Sequence, residues 1–186
     1  MIKFNLDIPQ EDRKIINPLD FKEEDMPLTV FSDDRRSFIG WAIKHITGNY
    51  NHSMFMRRPG YLLTQGFTYK EIPIQEYMKP TQMLKFWRYK DIKDFERDLI
   101  FKKAQKDLEE PWWERRYDYL GIVGQFFKVR WINDPWRRYC SERVAEYLRL
   151  ILPIKDKIPK RPSPAELNKL FHTIEGFEEV GYYFQD

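Results

Sequence analysis

Three residues of the sequence carry the side chains that acyl transfer by a thiol requires. Cys140 is the only cysteine, His52 is one of three histidines, and Gln65 follows His52 along the chain. A thiol attacks a carbonyl as its thiolate, a nearby imidazole takes the proton, and a third polar group holds the imidazole in one orientation. We therefore treat Cys140, His52 and Gln65 as the candidate nucleophile, base and orienting residue.

Cys140 stands at the predicted start of an amphipathic helix. Apolar residues follow it at helical spacing, at Val144, Tyr147, Leu148 and Ile151, so the thiol is expected on or beside the buried face. Backbone N–H groups at a helix start carry partial positive charge, which favours a thiolate and a developing oxyanion. A lone cysteine is also a common inert core residue, so the spacing alone leaves both interpretations open.

A predicted β-hairpin carries the other two candidates. Residues 52–56 and 61–67 have the pattern of two strands joined by a Pro-Gly turn. In an antiparallel pair the start of the first strand lies across from the end of the second, so His52 is expected within reach of Gln65. Thr64 is the rival for the orienting role.

The remaining patterns predict an α+β domain. Ser163, followed by a proline and then by Glu166, indicates a capping box at the start of a late helix. Ser32-Asp33-Asp34 is predicted to be a turn, and residues 67–82 are predicted to form a loop. The other predicted elements are strands over 28–31 and 82–89, helices over 35–46, 91–109, 117–127 and 164–171, and a terminal strand or arm.

The sequence also predicts which side chains of these elements are buried in the core. The aromatic and basic stretches 86–90 and 112–116 are interpreted as core aromatics with solvated charges rather than as base-stacking surfaces. The helix over 91–109 is expected to pack through one apolar face, formed by Ile92, Phe95, Leu99, Ala104 and Leu108.

Length and composition favour one folded unit. The 186 residues are 42% hydrophobic and 17% aromatic, which argues against a disordered chain. Residues 1–27 are interpreted as an irregular N-terminal arm and residues 28–186 as a single domain. The 32 basic and 29 acidic residues leave a net charge of +3, too little to recruit nucleic acid by charge alone.

The sequence predicts a cytoplasmic protein without stable membrane insertion. It contains no apolar run long enough to span a bilayer, and its start lacks the pattern of a signal peptide. One cysteine cannot form an internal disulfide, which is consistent with a reducing compartment. The histidines and the cysteine show no metal-ligand spacing. No metal or other cofactor is therefore expected, and His45 and His172 are interpreted as structural or solvated.

The order of these motifs resembles the circularly permuted branch of the NlpC-type papain-like cysteine hydrolases. That group includes YiiX-like bacterial proteins and, more distantly, lecithin:retinol acyltransferase. Its members present the histidine first, as in Asn51-His52-Ser53-Met54-Phe55, and a late Cys-Ser-Glu motif that opens a helix, as in Tyr139-Cys140-Ser141-Glu142. The likeness covers about residues 28–171. Gln65 stands where many members have glutamate or histidine.

The resemblance implies a papain-like α+β fold with a central antiparallel sheet or partial barrel. It also implies that Cys140, assisted by His52, cleaves or transfers an amide or ester in a peptide-, lipid- or peptidoglycan-like substrate, with no metal required. Two alternatives stay open. One is a catalytically inactive structural or binding protein of the same fold, and the other is a nucleic-acid binder. The sequence does not specify the oligomeric state.

Overall fold

A single antiparallel sheet organises the part of the chain that the computed structural model describes, which is residues 13–34, 50, 52–116 and 139–185. The strand order is β4-β3-β2-β1-β5-β6, so β4 and β6 lie at the edges. The strands are β1 (Leu28–Asp34), β2 (His52–Arg58), β3 (Tyr61–Gln65), β4 (Tyr69–Pro73), β5 (Gln82–Tyr89) and β6 (Phe177–Phe184).

Three α-helices are described, and all of them pack on one face of the sheet. They are α1 (Asp94–Glu109), α2 (Cys140–Leu148) and α3 (Pro164–Phe171). The first core lies between these helices and sheet residues such as Phe31, Phe55 and Trp87. We call this side of the sheet the helical face.

The other side of the sheet, which we call the opposite face, carries a second core. Its strand residues are Leu28, Val30, Met54, Met56, Leu62, Ile72, Leu84 and Phe86. Successive side chains of a strand point to alternate sides, and this rule separates the two sets: Met54 lies on the opposite face and Phe55 on the helical face.

Several predicted elements are confirmed. The hairpin is present with Gly60 at a positive φ of 76° in its turn, which glycine adopts without steric cost. The strand over 82–89 is present as β5. The predicted capping box is also present, because Ser163 Oγ accepts from the Glu166 N–H at 3.2 Å and Glu166 Oε2 accepts from the Ser163 N–H at 2.7 Å.

Two predictions about turns and loops were wrong. Ser32-Asp33-Asp34 continues β1 instead of forming a turn, because it pairs with β5 as far as Gln82. The predicted loop over 67–82 contains β4, which pairs with β3, and a 3-10 turn over Ile74–Tyr77. The predicted helices over 35–46 and 117–127 lie outside the described residues.

The buried face predicted for the helix over 91–109 was wrong in part: Ala104 is buried and Ile92 and Leu108 pack against the first core, but the other two residues do not. Phe95 and Leu99 are each 47% exposed, whereas Glu96 and Asp107 are fully buried beside Ile100 and Ala104. The two carboxylates are buried because they accept hydrogen bonds from other elements; the Leu152 N–H, for example, donates to Glu96 Oε1 at 2.8 Å. Apolar periodicity cannot detect a face that contains partnered acids.

Part of the predicted N-terminal arm packs against the sheet. Ile15 forms a parallel bridge with Tyr182 of β6, and the Phe21 and Phe86 rings pack with centroids 5.2 Å apart. Gly181 has a φ of 153°, and a Cβ at this position would approach the Lys14 carbonyl oxygen to 2.6 Å. Only glycine therefore fits where the arm crosses β6.

The described architecture confirms the α+β class and the central antiparallel sheet. The sheet is open, with edges at β4 and β6. Within the described residues, none of the helices combines the length and the apolar character needed to cross a membrane.

Candidate functional site

Cys140 lies where the sequence predicted, as the first residue of α2. It is 3% exposed, so the expectation of a thiol at the buried side of the helix start is confirmed. The neighbouring Ser141 Oγ donates to the Pro162 carbonyl at 2.6 Å and thereby ties the start of α2 to the segment before α3. Backbone N–H groups of the first helical turn lack intrahelical acceptors, which gives this end its positive character.

His52 begins β2 and contacts Thr64 rather than Gln65. Its Nε2 lies 2.8 Å from Thr64 Oγ1, which in turn lies 2.9 Å from the Tyr77 hydroxyl. The His52 and Tyr77 rings are nearly parallel, with centroids 6.1 Å apart. Of the two residues considered for the orienting role, Thr64 is therefore the one that holds the imidazole.

The alternation of side chains places this histidine on the opposite face. His52 lies two residues before Met54 of the second core, and Thr64 lies two residues after Leu62, so each shares a face of the sheet with that core residue. Tyr77 also packs against the second core. Because α2 packs on the helical face, the imidazole and the helix that begins with Cys140 lie on different sides of the sheet.

The predicted contact between Gln65 and His52 is not formed. Gln65 follows Thr64, so its side chain projects to the helical face. There Gln65 Nε2 donates to the Arg115 carbonyl at 2.7 Å. The prediction identified the correct strand end but not which of two consecutive residues shares a face with His52.

We expect Thr64→Val to lower the free energy of unfolding by about 1 to 3 kcal/mol. Thr64 is 1% exposed, and valine keeps its shape while removing the hydroxyl that His52 and Tyr77 share. Urea unfolding measures the loss. Thr173→Val is the matched control, because its hydroxyl bonds the Leu170 carbonyl at an exposed position. Equal losses in both variants would mean that the Thr64 hydroxyl has no special role.

One turn after the thiol, Arg143 enters a buried polar network that was not predicted from the sequence. Arg143 is 1% exposed and Asp107 of α1 fully buried, with Arg143 Nη1 3.0 Å from Asp107 Oδ2. The guanidinium also lies 4.2 Å above the centroid of the Tyr69 ring and 3.4 Å from Glu110 Oε2. The network therefore fixes α2 against both α1 and β4.

Two tyrosines complete this network. The Tyr147 hydroxyl donates to Asp107 Oδ2 at 2.9 Å, so the Tyr69 hydroxyl, 2.5 Å away, donates to Tyr147. Burial raises the pKa of both tyrosines well above the ordinary value, which keeps both hydroxyls protonated as donors. The available sequence signal was Arg143 itself, a charge inside the apolar stripe of its helix.

His172 has structural contacts, as the sequence predicted. It follows α3, and its ring packs edge-on against Trp87 with centroids 4.8 Å apart. His172 Nε2 lies 3.4 Å from Nζ of the buried Lys85, which is paired with Glu179 at 3.0 Å. His45 lies outside the described residues. Across the described ranges, the His, Cys, Asp and Glu side chains form no group that could hold a metal ion.

Comparison with known proteins gives a match in structure and none in sequence. No protein-family model matches the chain, and no curated protein matches its sequence. A similar solved structure is that of the metalloprotein YiiX from Escherichia coli O157:H7. It aligns with a TM-score of 0.57 at 15% identity, over 87% of this chain and 98% of that chain. The chain thus has a YiiX-like α+β fold.

Proposed function

We propose that this chain is a cysteine hydrolase or acyltransferase that attacks an amide or ester carbonyl through Cys140. The observation that carries the proposal is the position of the only cysteine, at the first residue of α2. The partial positive charge of that helix end favours the thiolate, and its backbone N–H groups suit an oxyanion. A papain-like fold of the permuted NlpC type belongs to the same proposal.

The reaction has two chemical steps. Cys140 Sγ adds to the carbonyl carbon, and the alcohol or amine leaves with a proton from the imidazolium, so that an acyl-enzyme forms. Water, or another acceptor, then releases the acyl group. The substrate class is peptide-, lipid- or peptidoglycan-like, and the acceptor decides between hydrolysis and transfer.

The base in this proposal is His52, assigned by the resemblance of its motif. In the described structure its Nε2 is held by Thr64 on the opposite face. The role of His52 as base therefore requires the imidazole to leave Thr64 and approach the start of α2. The 3% exposure of Cys140 likewise requires the site to open for substrate.

Alkylation of the single thiol tests the proposal directly. We expect iodoacetamide to label Cys140 rapidly at neutral pH and His52→Ala to slow labelling by at least about tenfold, because the thiolate loses its base. Thr64→Val, which releases the imidazole, should not slow labelling. His172→Ala is the matched histidine control and should leave the rate unchanged. Equal rates in wild type and His52→Ala would rule out the pair.

The second candidate function is a non-catalytic structural or binding protein of the same fold. The separation of His52 from α2 by the sheet favours it. This candidate predicts slow labelling of Cys140 at all pH values below the ordinary range of a thiol pKa. It also predicts that Cys140→Ser leaves the biological phenotype intact, whereas the hydrolase predicts its loss.

A further inference from the structure

Three exposed aromatic side chains gather at the edge of the sheet formed by β4. Phe67 is 61% exposed, and Trp112 and Trp113 are each 55% exposed. The Arg116 guanidinium carbon lies 5.1 Å from the Phe67 ring centroid and 5.3 Å from that of Trp112. We call these four residues the aromatic patch. The prediction that the two tryptophans lie in the core was therefore wrong.

The aromatic patch is built on fixed backbone. The Tyr69 N–H donates to the Arg115 carbonyl at 2.7 Å, and Gln65 Nε2 donates to the same oxygen at 2.7 Å. Thr68 and Arg116 form an antiparallel bridge. The segment that carries the tryptophans is thus fastened to the turn that carries Phe67. The rings are presented to solvent together, although exposing them is unfavourable.

We propose that the aromatic patch docks on the surface of a membrane that contains anionic phospholipids. Tryptophan and phenylalanine rings enter the boundary between headgroups and acyl chains, while an arginine stem lies along apolar surface with its charge at a lipid phosphate. The Arg116 guanidinium lies beside the Phe67 and Trp112 rings, so inserting these rings would bring its charge to the level of the lipid phosphates. The inference goes beyond the proposed function and does not depend on it.

The charges near the aromatic patch complement an anionic surface. Arg116 ends the segment with its guanidinium at the rings, and exposed Lys70 lies on the strand to which the segment is fastened. The Arg115 side chain instead turns back to β4, where its Nη1 donates to the Tyr69 carbonyl at 3.5 Å. Glu114 is the one acidic residue from Pro111 to Arg116. A polybasic groove for nucleic acid would need more positive charge than this.

The ring geometry disfavours flat ligands. The planes of Trp112 and Trp113 are inclined by 79°, with centroids 6.1 Å apart. Two rings in this arrangement cannot both stack on one sugar or on parallel bases. They can both insert into a fluid interface, which imposes no common plane.

Vesicle binding tests the proposal. Full-length protein is sedimented with phosphatidylcholine vesicles that contain phosphatidylglycerol, and the shift of tryptophan emission is recorded in parallel. We expect the wild type to bind, and the double variant Trp112→Ala, Trp113→Ala to bind about tenfold or more weakly. Arg116→Gln should weaken binding about fivefold and reduce its dependence on anionic lipid.

Phe95→Ala is the matched control, because Phe95 is an exposed ring on α1, outside the aromatic patch. It should bind vesicles as the wild type does, and circular dichroism should show that all variants are folded. Inorganic phosphate at the concentration of the lipid phosphate should not displace the protein, since a free ion offers no apolar boundary. Displacement by phosphate alone would indicate an anion site and overturn the proposal.

Three other outcomes would overturn it. The first is a wild type that does not bind the vesicles, or that binds no better than the double tryptophan variant. The second is a dimer that the double variant breaks while vesicle binding is absent, which would identify a second copy as the occupant. The third is patch-dependent binding of a single-stranded oligonucleotide without vesicle binding.

Discussion

Replacing Arg143 with leucine is expected to lower the free energy of unfolding by about 3 to 5 kcal/mol. The guanidinium is 1% exposed and lies against the fully buried Asp107 carboxylate. Without it, this carboxylate stays in the core with Lys103 as its remaining cation. Denaturant unfolding followed by circular dichroism measures the loss.

The same pair makes stability depend on pH. Burial by itself would raise the pKa of Asp107, but Arg143, Lys103 and the Tyr147 hydroxyl outweigh it and hold the pKa below its ordinary value. Because the folded pKa is the lower one, Asp107 stabilises the fold above its unfolded pKa of about 3.9. This contribution disappears as the pH falls through the folded pKa. The difference in free energy of unfolding between the wild type and Arg143→Leu should therefore become smaller as the pH is lowered, and denaturant unfolding at a series of pH values measures it.

Two further variants test whether the loss of stability comes from the coupled Arg143–Asp107 pair or from the removal of any arginine. Arg161→Leu removes an arginine that is 44% exposed and pairs with Glu142 near the same helix, and it should cost less than about 1 kcal/mol. The double variant Asp107→Leu, Arg143→Leu should lose clearly less than the sum of its single variants. Strict additivity would show that the two residues act independently.

Phe171→Ala is expected to lower the free energy of unfolding by about 3 to 5 kcal/mol. Phe171 is 1% exposed at the end of α3. Its ring packs against Phe31 and Trp87 with centroids 5.5 and 5.6 Å away, and stacks on Phe177 at 4.0 Å. Truncation therefore opens a cavity between the helix and three strands. The midpoint of urea unfolding measures the effect.

Two control variants test whether the lost volume of the buried Phe171 ring causes the destabilisation. Phe171→Leu keeps most of the volume and should cost less than about 1.5 kcal/mol. Phe95→Ala removes a ring of the same size that is 47% exposed, and it should cost less than about 1 kcal/mol. A loss at Phe95 as large as that at Phe171 would contradict burial as the cause.

Elements whose ends are specified by nearby residues could be predicted from the sequence. The hairpin turn and the capping box at Ser163 follow from backbone preferences within a few residues, and both are present. Strand β4 was missed because its charged residues and its position at a sheet edge mask the alternating pattern. Its pairing with β3 comes from tertiary structure, which the local pattern does not contain.

The position of Cys140 could be predicted because one apolar stripe fixes which side of a helix is buried. The relation of His52 to Gln65 could not, since a shift of one residue along a strand moves a side chain to the other face. By the same reasoning, Arg143 could be flagged as a charge in an apolar stripe, but its partners could not be predicted. The Arg143 network joins residues of α1, α2 and β4 that are distant in sequence, and its charges are stable in the core only as a set.

Two segments lie along the edges of the sheet, and they affect whether edge strands of two molecules can pair. An edge strand offers unpaired N–H and C=O groups that template pairing with a second molecule. Here the N-terminal segment runs along β6, as the Ile15 bridge shows. The Thr68–Arg116 bridge lies just before β4, and the Tyr69 N–H at the start of β4 donates to the Arg115 carbonyl. Each edge is thus partly occupied by the chain's own backbone, which protects the open sheet against edge-to-edge aggregation.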